Sequence, residues 1–225
     1  MAAYAGVDTF ESYSVGGLNG GNGGSGWSGA WSGDTSFTVQ STVTRSAGST
    51  RAVKLPSGST ADILQTRILS AAADSGDIYF SMRKGGGVTG LVQDTFFYSG
   101  GTLAFYVRAD QGGAASINLV GTTTETIVAT PAGDTWYDFH INFVSSTSVK
   151  ARYRTPGGAW GAFTNAVTLA GSASSVDRVK IHWDSFGTPR DLYWDDIQNT
   201  DPDAVAGALP RPVFARQAVN RASTY

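Results

Sequence analysis

The sequence predicts an all-β fold, a two-layer antiparallel β-sandwich, and three observations lead to it. Apolar and polar residues alternate with period two in run after run between residues 36 and 197, the signature of strands with one buried and one wet face. Glycine-rich turn segments separate the runs: SAGS at 46–49, PSGS at 56–59, KGGG at 84–87, DQGG at 110–113 and TPGG at 155–158. Such residues supply the positive backbone angles of tight turns. Helical spacing is nearly absent. Residues 61–73 read as a short helix or an irregular crossing, and 214–222 as a terminal helix after Pro212.

The chain opens with Phe10 and Glu11, followed by a glycine-rich run from Gly16 to Gly33 that carries Trp27 and Trp31. A flexible linker needs no large rings, so this run is expected to be an ordered loop with the two tryptophans as its anchors. Ile78, Phe80 and Met82 then alternate with Tyr79, Ser81 and Arg83, and Leu103, Phe105 and Val107 with Ala104, Tyr106 and Arg108. The segment WYDFHINF places Tyr137, Phe139, Ile141 and Phe143 on one face and Trp136, Asp138, His140 and Asn142 on the other. Val149, Ala151 and Tyr153 follow, and then Val179, Ile181 and Trp183. No linker divides two cores. The division is one sandwich domain over residues 1–204 and an extended basic tail over 205–225.

Composition narrows the functions. With 41% hydrophobic and 12% aromatic residues in 225, the chain can bury a core without disulfides. It has no cysteine, which removes thiolate catalysis and cysteine zinc sites. The opening MAAYAGVDTF shows neither a basic n-region nor an apolar h-region, so no secretory signal is expected. No run approaches the apolar length of a membrane span. The formal charge is -2, and Arg211, Arg216 and Arg221 sit in a tail without acids, so the body is more acidic than the total. That balance argues against nucleic acid as a partner.

Three segments carry a family resemblance: DTFESY at 8–13 with LNGGNGGSGWSGAW at 18–31, TWYDFHINF at 135–143, and DLYWDDI at 191–197. Together they resemble the concanavalin A-like, laminin-G-like jelly rolls. The resemblance implies that the first and last strands lie side by side. It also implies a structural cation, such as calcium, between those ends, with Glu11, Asp195 and Asp196 as ligands; no other cofactor is required. The residues offer their own argument for Asp195, which shares the parity of Tyr193 and Ile197 and so points inward if Ile197 does. A buried carboxylate needs a cation, an arginine or backbone donors, and all three remain open.

Enzymatic chemistry is the weakest reading. The chain has two glutamates, Glu11 and Glu125, so the Glu-x-Asp-x-x-Glu strand of jelly-roll glucanases is missing. His140 and His182 fall on polar strand faces, where proximity on adjacent strands would make a base or a metal ligand pair. Glycan binding has more to recommend it: Tyr79, Tyr106 and Trp136, with Arg108, fall on polar faces and would stack on sugar rings, including those of cell-surface glycans. The favoured reading is structural. Jelly rolls without a secretion signal resemble those of tailed bacteriophages, where they serve as capsid decoration, tail or fibre components. On that resemblance the protein is a non-enzymatic virion component, assembled in the host cytoplasm as a homo-oligomer with other virion proteins. The tail would dock on a partner through Arg211, Phe214, Arg216 and Arg221.

Overall fold

The computed structural model describes residues 2–46, 48–55, 63–83, 91–110, 116–144, 146–185 and 191–204. The tail with Arg211, Phe214, Arg216 and Arg221, and the helix expected at 214–222, lie outside the described residues. In chain order the strands are β1 (Gly16–Gly17), β2 (Ser32–Gly33), β3 (Thr38–Gln40), β4 (Ala52–Leu55), β5 (Ile63–Ala73), β6 (Ser75–Arg83) and β7 (Leu91–Ser99). They continue with β8 (Thr102–Asp110), β9 (Ser116–Val120), β10 (Thr124–Val128), β11 (Trp136–Val144), β12 (Val149–Arg154), β13 (Val176–Ser185) and β14 (Leu192–Gln198). Two seven-stranded antiparallel sheets result. Sheet I has the order β1-β3-β4-β14-β6-β11-β12 and sheet II the order β10-β9-β8-β7-β13-β5-β2.

The alternating runs supply the core between the sheets. Phe80, Phe139, Ile141 and Phe143 project from sheet I, and Phe97, Phe105, Val179, Ile181 and Trp183 from sheet II, all buried. Rings meet within a sheet, as for Phe97 and Phe105 at 4.6 Å between centroids. They also meet across the sandwich, as for Phe80 and Phe97 at 6.0 Å. Each ring removes a large apolar area from water, which is the main force holding the layers face to face.

Residues 63–73 differ from the helix or crossing expected there. They form β5, paired along its length with β13. Ile63, Gln65, Arg67 and Leu69 are buried, in alternation with Leu64, Thr66, Ile68 and Ser70. Two inward residues are polar, so the period-two pattern is invisible to a reading that equates inward with apolar.

Those two polar residues hold the glycine-rich loop. Gln65 donates from Nε2 to the Asp34 carbonyl. Arg67, 1% exposed, forms an ion pair with Asp8, which is 0% exposed. The Asp8 carboxylate also accepts from Tyr13 Oη and Trp31 Nε1, each at 2.8 Å, and from the Phe10 amide at 3.1 Å. Arg67 donates further to Gly29 O at 3.2 Å and Gly23 O at 2.6 Å, and lies over the rings of Trp27 and Trp31. Trp31 is fully buried, whereas Trp27 is half-buried and donates from Nε1 to Val7 O at 3.0 Å. The loop runs along the outer edge of β5: Ser28 N bonds Ile68 O, and Ser70 N bonds Gly26 O. It therefore caps a strand edge that would otherwise expose unpaired amides.

Glycine is required where the loop crosses the N-terminal segment. At Gly24 and Gly26, φ is +73° and +77°, and a Cβ would stand 1.9 Å from Val7 O and 2.0 Å from Ala5 O. The N-terminal segment in turn meets the last strand, with Asp8 N donating to Ile197 O at 2.7 Å. The segment before β1 thus meets the last strand, whereas β1 itself is separated from β14 by β3 and β4, so the first and last strands are not neighbours as the resemblance implied.

Removing one member of a buried ion pair leaves the other charge stranded. Arg67→Met is expected to destabilise the fold by about 3–5 kcal/mol. The double variant Asp8→Asn/Arg67→Met is expected to lose markedly less than the two single losses combined. Urea unfolding of the four proteins measures this, and additive losses would show that the two side chains act independently.

Candidate functional site

The outer faces of the two sheets are built differently. On sheet I, Asp138 and His140 from β11 face Ser81 and Tyr79 of β6 and Arg154 and Arg152 of β12. Asp138 is 1% exposed. Its carboxylate accepts from Arg45 Nε at 2.6 Å, Arg154 Nε at 3.0 Å and Ser81 Oγ at 2.8 Å. The two arginines continue outward: Arg45 to Asp203 at 3.0 Å, and Arg154 to Asp203 at 2.9 Å and to Asp201. Segments 41–46, 48–51, 155–166 and 199–204 thus close over this face, with Trp160 donating from Nε1 to Asp201 at 2.8 Å.

His140 is part of the same cover. Its Nδ1 accepts from Arg152 Nε at 2.9 Å, so its proton sits on Nε2, 2.7 Å from Asp77. Its ring stacks on Tyr79 at 4.3 Å between centroids and touches Trp160 and Phe163. Burial, with the Arg152 charge beside it, holds its pKa below the usual histidine value. Trp136, on the same face, is buried against Tyr193 and Ala52.

The four aromatic and cationic residues expected to share a binding face are divided. Tyr79 and Trp136 belong to sheet I, and both are packed under its own loops. Tyr106 and Arg108 belong to sheet II. Alternation identifies the polar face of each strand but not the sheet that the strand joins, and that is why the sequence grouped them. The two histidines separate in the same way, His140 on β11 of sheet I and His182 on β13 of sheet II.

The parity argument for Asp195 also changes. Leu192 and Trp194 are buried in the main core, while Tyr193 packs with Trp136 on the outer face. Asp195 opposes Ser81 and so shares that outer face. The register then shifts between Asp195 and Gln198, with φ of 53° at Asp196, and Ile197 returns to the core. A bulge inserts one residue and reverses the alternation, so Asp195 and Ile197 do not share a face.

Glu11, Asp195 and Asp196 lie at one end of the sandwich, by a pocket of about 480 Å³ lined by Glu11, Arg45, Ser49, Asp196, Gln198 and Asp203. The donor set is that of a hydrogen-bonded site. Glu11 accepts from Thr50 N at 2.9 Å, Arg51 N at 3.2 Å and Thr50 Oγ1, with Ser49 Oγ 3.1 Å away. Asp195 accepts from Ser49 Oγ at 2.8 Å and Asp196 N at 2.9 Å. Asp196 stands 3.5 Å from Arg45. Among the described residues, no three His, Asp or Glu side chains are placed to hold a metal. As arranged, the three expected ligands do not fit a hard cation, which wants those oxygens free; backbone and hydroxyl donors occupy them instead. Burial, and then the Asp196 charge, push the Asp195 carboxyl well above the carboxylate range. Burial also pushes Asp196 up to about 7, against the pull of Arg45 and with the help of Asp138 and Glu11.

The outer face of sheet II carries the aromatic surface. Register aligns Thr66, Lys180, Phe96 and Tyr106 in one row and Leu64, His182, Asp94 and Arg108 in the next, with Tyr98 beside Arg178. Phe96, Tyr98 and Tyr106 are each half-buried. Phe96 meets Tyr106 at 5.2 Å and Tyr98 at 6.1 Å, both edge to face. In the adjoining row Asp94, 0% exposed, accepts from Arg108 Nε and Nη2 at 2.9 and 3.0 Å and lies 3.3 Å from His182 Nδ1. Arg108 lies 5.0 Å from the Tyr106 centroid, and Lys180 Nζ 4.1 Å from that of Tyr98. Phe96 and Tyr98 were not singled out in the sequence because the run Phe96-Phe97-Tyr98 hides its alternation. A strand with three consecutive aromatics must nonetheless place rings on both faces.

No family model and no curated protein matches the sequence. Among solved structures the chain is similar to the catalytic domain of a glycoside hydrolase family 131 protein from Coprinopsis cinerea, at 18% identity and a TM-score of 0.50, covering 76% of this chain and 84% of that one. It is similar to a β-glucanase of Bacillus licheniformis at 11% identity and a TM-score of 0.51, covering 84% and 99%. A carbohydrate esterase from the Shiga toxin-encoding bacteriophage phi24B matches at 19% identity and a TM-score of 0.50, covering 86% and 98%. The fold is a concanavalin A-like jelly roll, shared with glycan-active proteins and with a phage protein.

The Asp196 geometry has a pH signature. A carboxyl whose pKa is raised in the folded state stabilises the fold while protonated, and that contribution is lost as pH rises from about 4 through about 7. Asp196→Asn keeps a residue suited to the positive φ. Relative to the parent, the variant is expected to melt higher at pH 8 than at pH 5. Thermal melts at the two pH values measure the difference, and an equal offset at both would refute the assignment.

Proposed function

We propose that the protein is a non-catalytic glycan-binding domain whose ligand lies on the outer face of sheet II. The observation that carries this reading is the Phe96, Tyr98 and Tyr106 cluster, a surface of rings spanning adjacent strands and set among cations and hydrogen-bonding groups. Saccharide rings present flat apolar C–H faces that pack on aromatic side chains, while polar neighbours fix orientation. Strands hold these rings in place, with the Asp94–Arg108 pair in the adjoining row, so the surface is preformed.

The non-catalytic part of the reading has its own support. Glycoside hydrolysis asks for two carboxyl groups across an open groove. Asp138 is enclosed by two arginines and a serine, Asp94 is bound to Arg108, and the Glu11 oxygens are filled by the 49–51 segment. None of these is free to act as nucleophile or base.

A second reading places the chain in a tailed-phage virion as an assembly component, with the same face as a protein contact. Leu64 and Ile68, exposed at 37% and 43% on the adjoining β5, favour it, since exposed apolar side chains beside an aromatic surface suit a subunit interface.

A glycan array probed with the parent and with Phe96→Ala/Tyr106→Ala separates the two readings. Binding that falls at least about tenfold in the variant supports the glycan reading, a magnitude suited to losing two stacked rings. No array binding, with a change of oligomeric state in the variant measured by light scattering, would replace it with the assembly reading.

A further inference from the structure

Among the described residues, the aromatic face of sheet II contains a cation with no counter-charge. Lys180 sits at one side of the rings on β13, directly opposite Phe96 on one side and Thr66 on the other. The other cations of the described face are committed. Arg108 is bidentate to Asp94, His182 shares that carboxylate, and Arg178 donates to Asp177 at 3.1 Å. Among the described residues no carboxylate stands within ion-pair distance of Lys180; its Nζ lies over the Tyr98 ring, 4.1 Å from the centroid. Burial and the Arg178 charge beside it disfavour the ammonium form and lower its pKa. An anion delivered to this point would offset both effects.

We propose that this face selects an acidic saccharide, a glycan bearing carboxylates on its sugar rings, with the carboxylate on Lys180 and the ring on Tyr98, Phe96 and Tyr106. The proposal rests on the glycan-binding reading and names its ligand class. The arrangement suits a uronic or sialic acid, in which a carboxylate hangs directly from the sugar ring. Adjacent strands lie about 4.8 Å apart, so the face across β13, β7 and β8 is wide enough for a ring on the aromatics with its carboxylate at the Lys180 end. An acidic peptide would use the lysine but offers no flat face for the rings. A neutral glycan would use the rings but leave the lysine unpaired.

The test uses the full chain with polygalacturonate, hyaluronan and polysialic acid. Each is paired with a carboxyl-reduced form, which keeps the backbone and removes the charge, and polyglutamate is the non-sugar control. Surface binding is measured for the parent, Lys180→Gln, Lys180→Arg and Tyr106→Ala, each checked by thermal melting. At least one acidic polysaccharide is expected to bind at least tenfold more tightly than its reduced form. Lys180→Gln is expected to abolish that preference, Lys180→Arg to retain it, and Tyr106→Ala to weaken both forms.

Equal binding of acidic and reduced forms would overturn the acidic class and leave the glycan reading standing. So would a preference that survives Lys180→Gln. No binding of any polysaccharide would overturn both. Polyglutamate binding as tightly as the polysaccharides would overturn the saccharide assignment in favour of an acidic peptide.

Discussion

The buried ion pair between Asp8 and Arg67 joins parts of the chain that no sheet ladder connects. Asp8 is tied by its backbone to Ile197 next to the end of β14, and by its side chain to an arginine on the inner face of β5 in the opposite sheet. Two charges removed from water cost several kcal/mol each unless every donor and acceptor is used. Here they are used. Tyr13, Trp31 and the Phe10 amide saturate the carboxylate, and carbonyls of the glycine-rich loop take the remaining guanidinium donors. Loop, N-terminal segment and both sheets thereby share one polar junction, and the loop has a unique position despite its composition.

That junction determines what the glycine-rich loop does. It runs along the β5 edge and leaves both sheet faces to other segments. Sheet I is covered by 41–46, 48–51, 155–166 and 199–204, which bring Arg45, Trp160, Asp201 and Asp203 over the face and bury Asp138 and His140. On sheet II the described residues leave three aromatic rings half-exposed. A closed face full of neutralised charges and a face of half-exposed rings have different uses. The first stabilises and the second is available to a ligand.

The end of the sandwich near Asp195 shows how a single bulge redirects electrostatics. The positive φ at Asp196 sets Asp195 on the outer face and turns Ile197 into the core. Two adjacent carboxyls are thereby packed among Glu11, Ser49 and Arg45. Desolvation and mutual repulsion favour the protonated forms, and the 49–51 segment supplies donors to Glu11 and Asp195 where a cation was expected.

The all-β class and the inward residues of β6, β11 and β13 are legible in the sequence because burial of one sheet face imposes period two locally; on β8 a bulge puts Ala104 in the core in place of Leu103. The order of the loop was legible too, since Trp27 and Trp31 need partners. Strand β5 escaped notice because its inward Gln65 and Arg67 are polar, and their burial makes sense only once Asp8 and Asp34 are opposite. The candidate face was half legible: Tyr106 and Arg108 were marked, whereas Phe96, Tyr98 and Lys180 were not, and Tyr79 and Trp136 fell on the other sheet. Alternation is a property of neighbours along the chain, so the sequence alone determined the facing of the regular apolar runs, whereas the bulge at Asp195–Gln198 and the polar inward residues of β5 took their facing from the fold. Which strands share a sheet, which outer face the loops cover and which lysine lacks a counter-charge depend on contacts between residues far apart in sequence, and only the tertiary structure decided them.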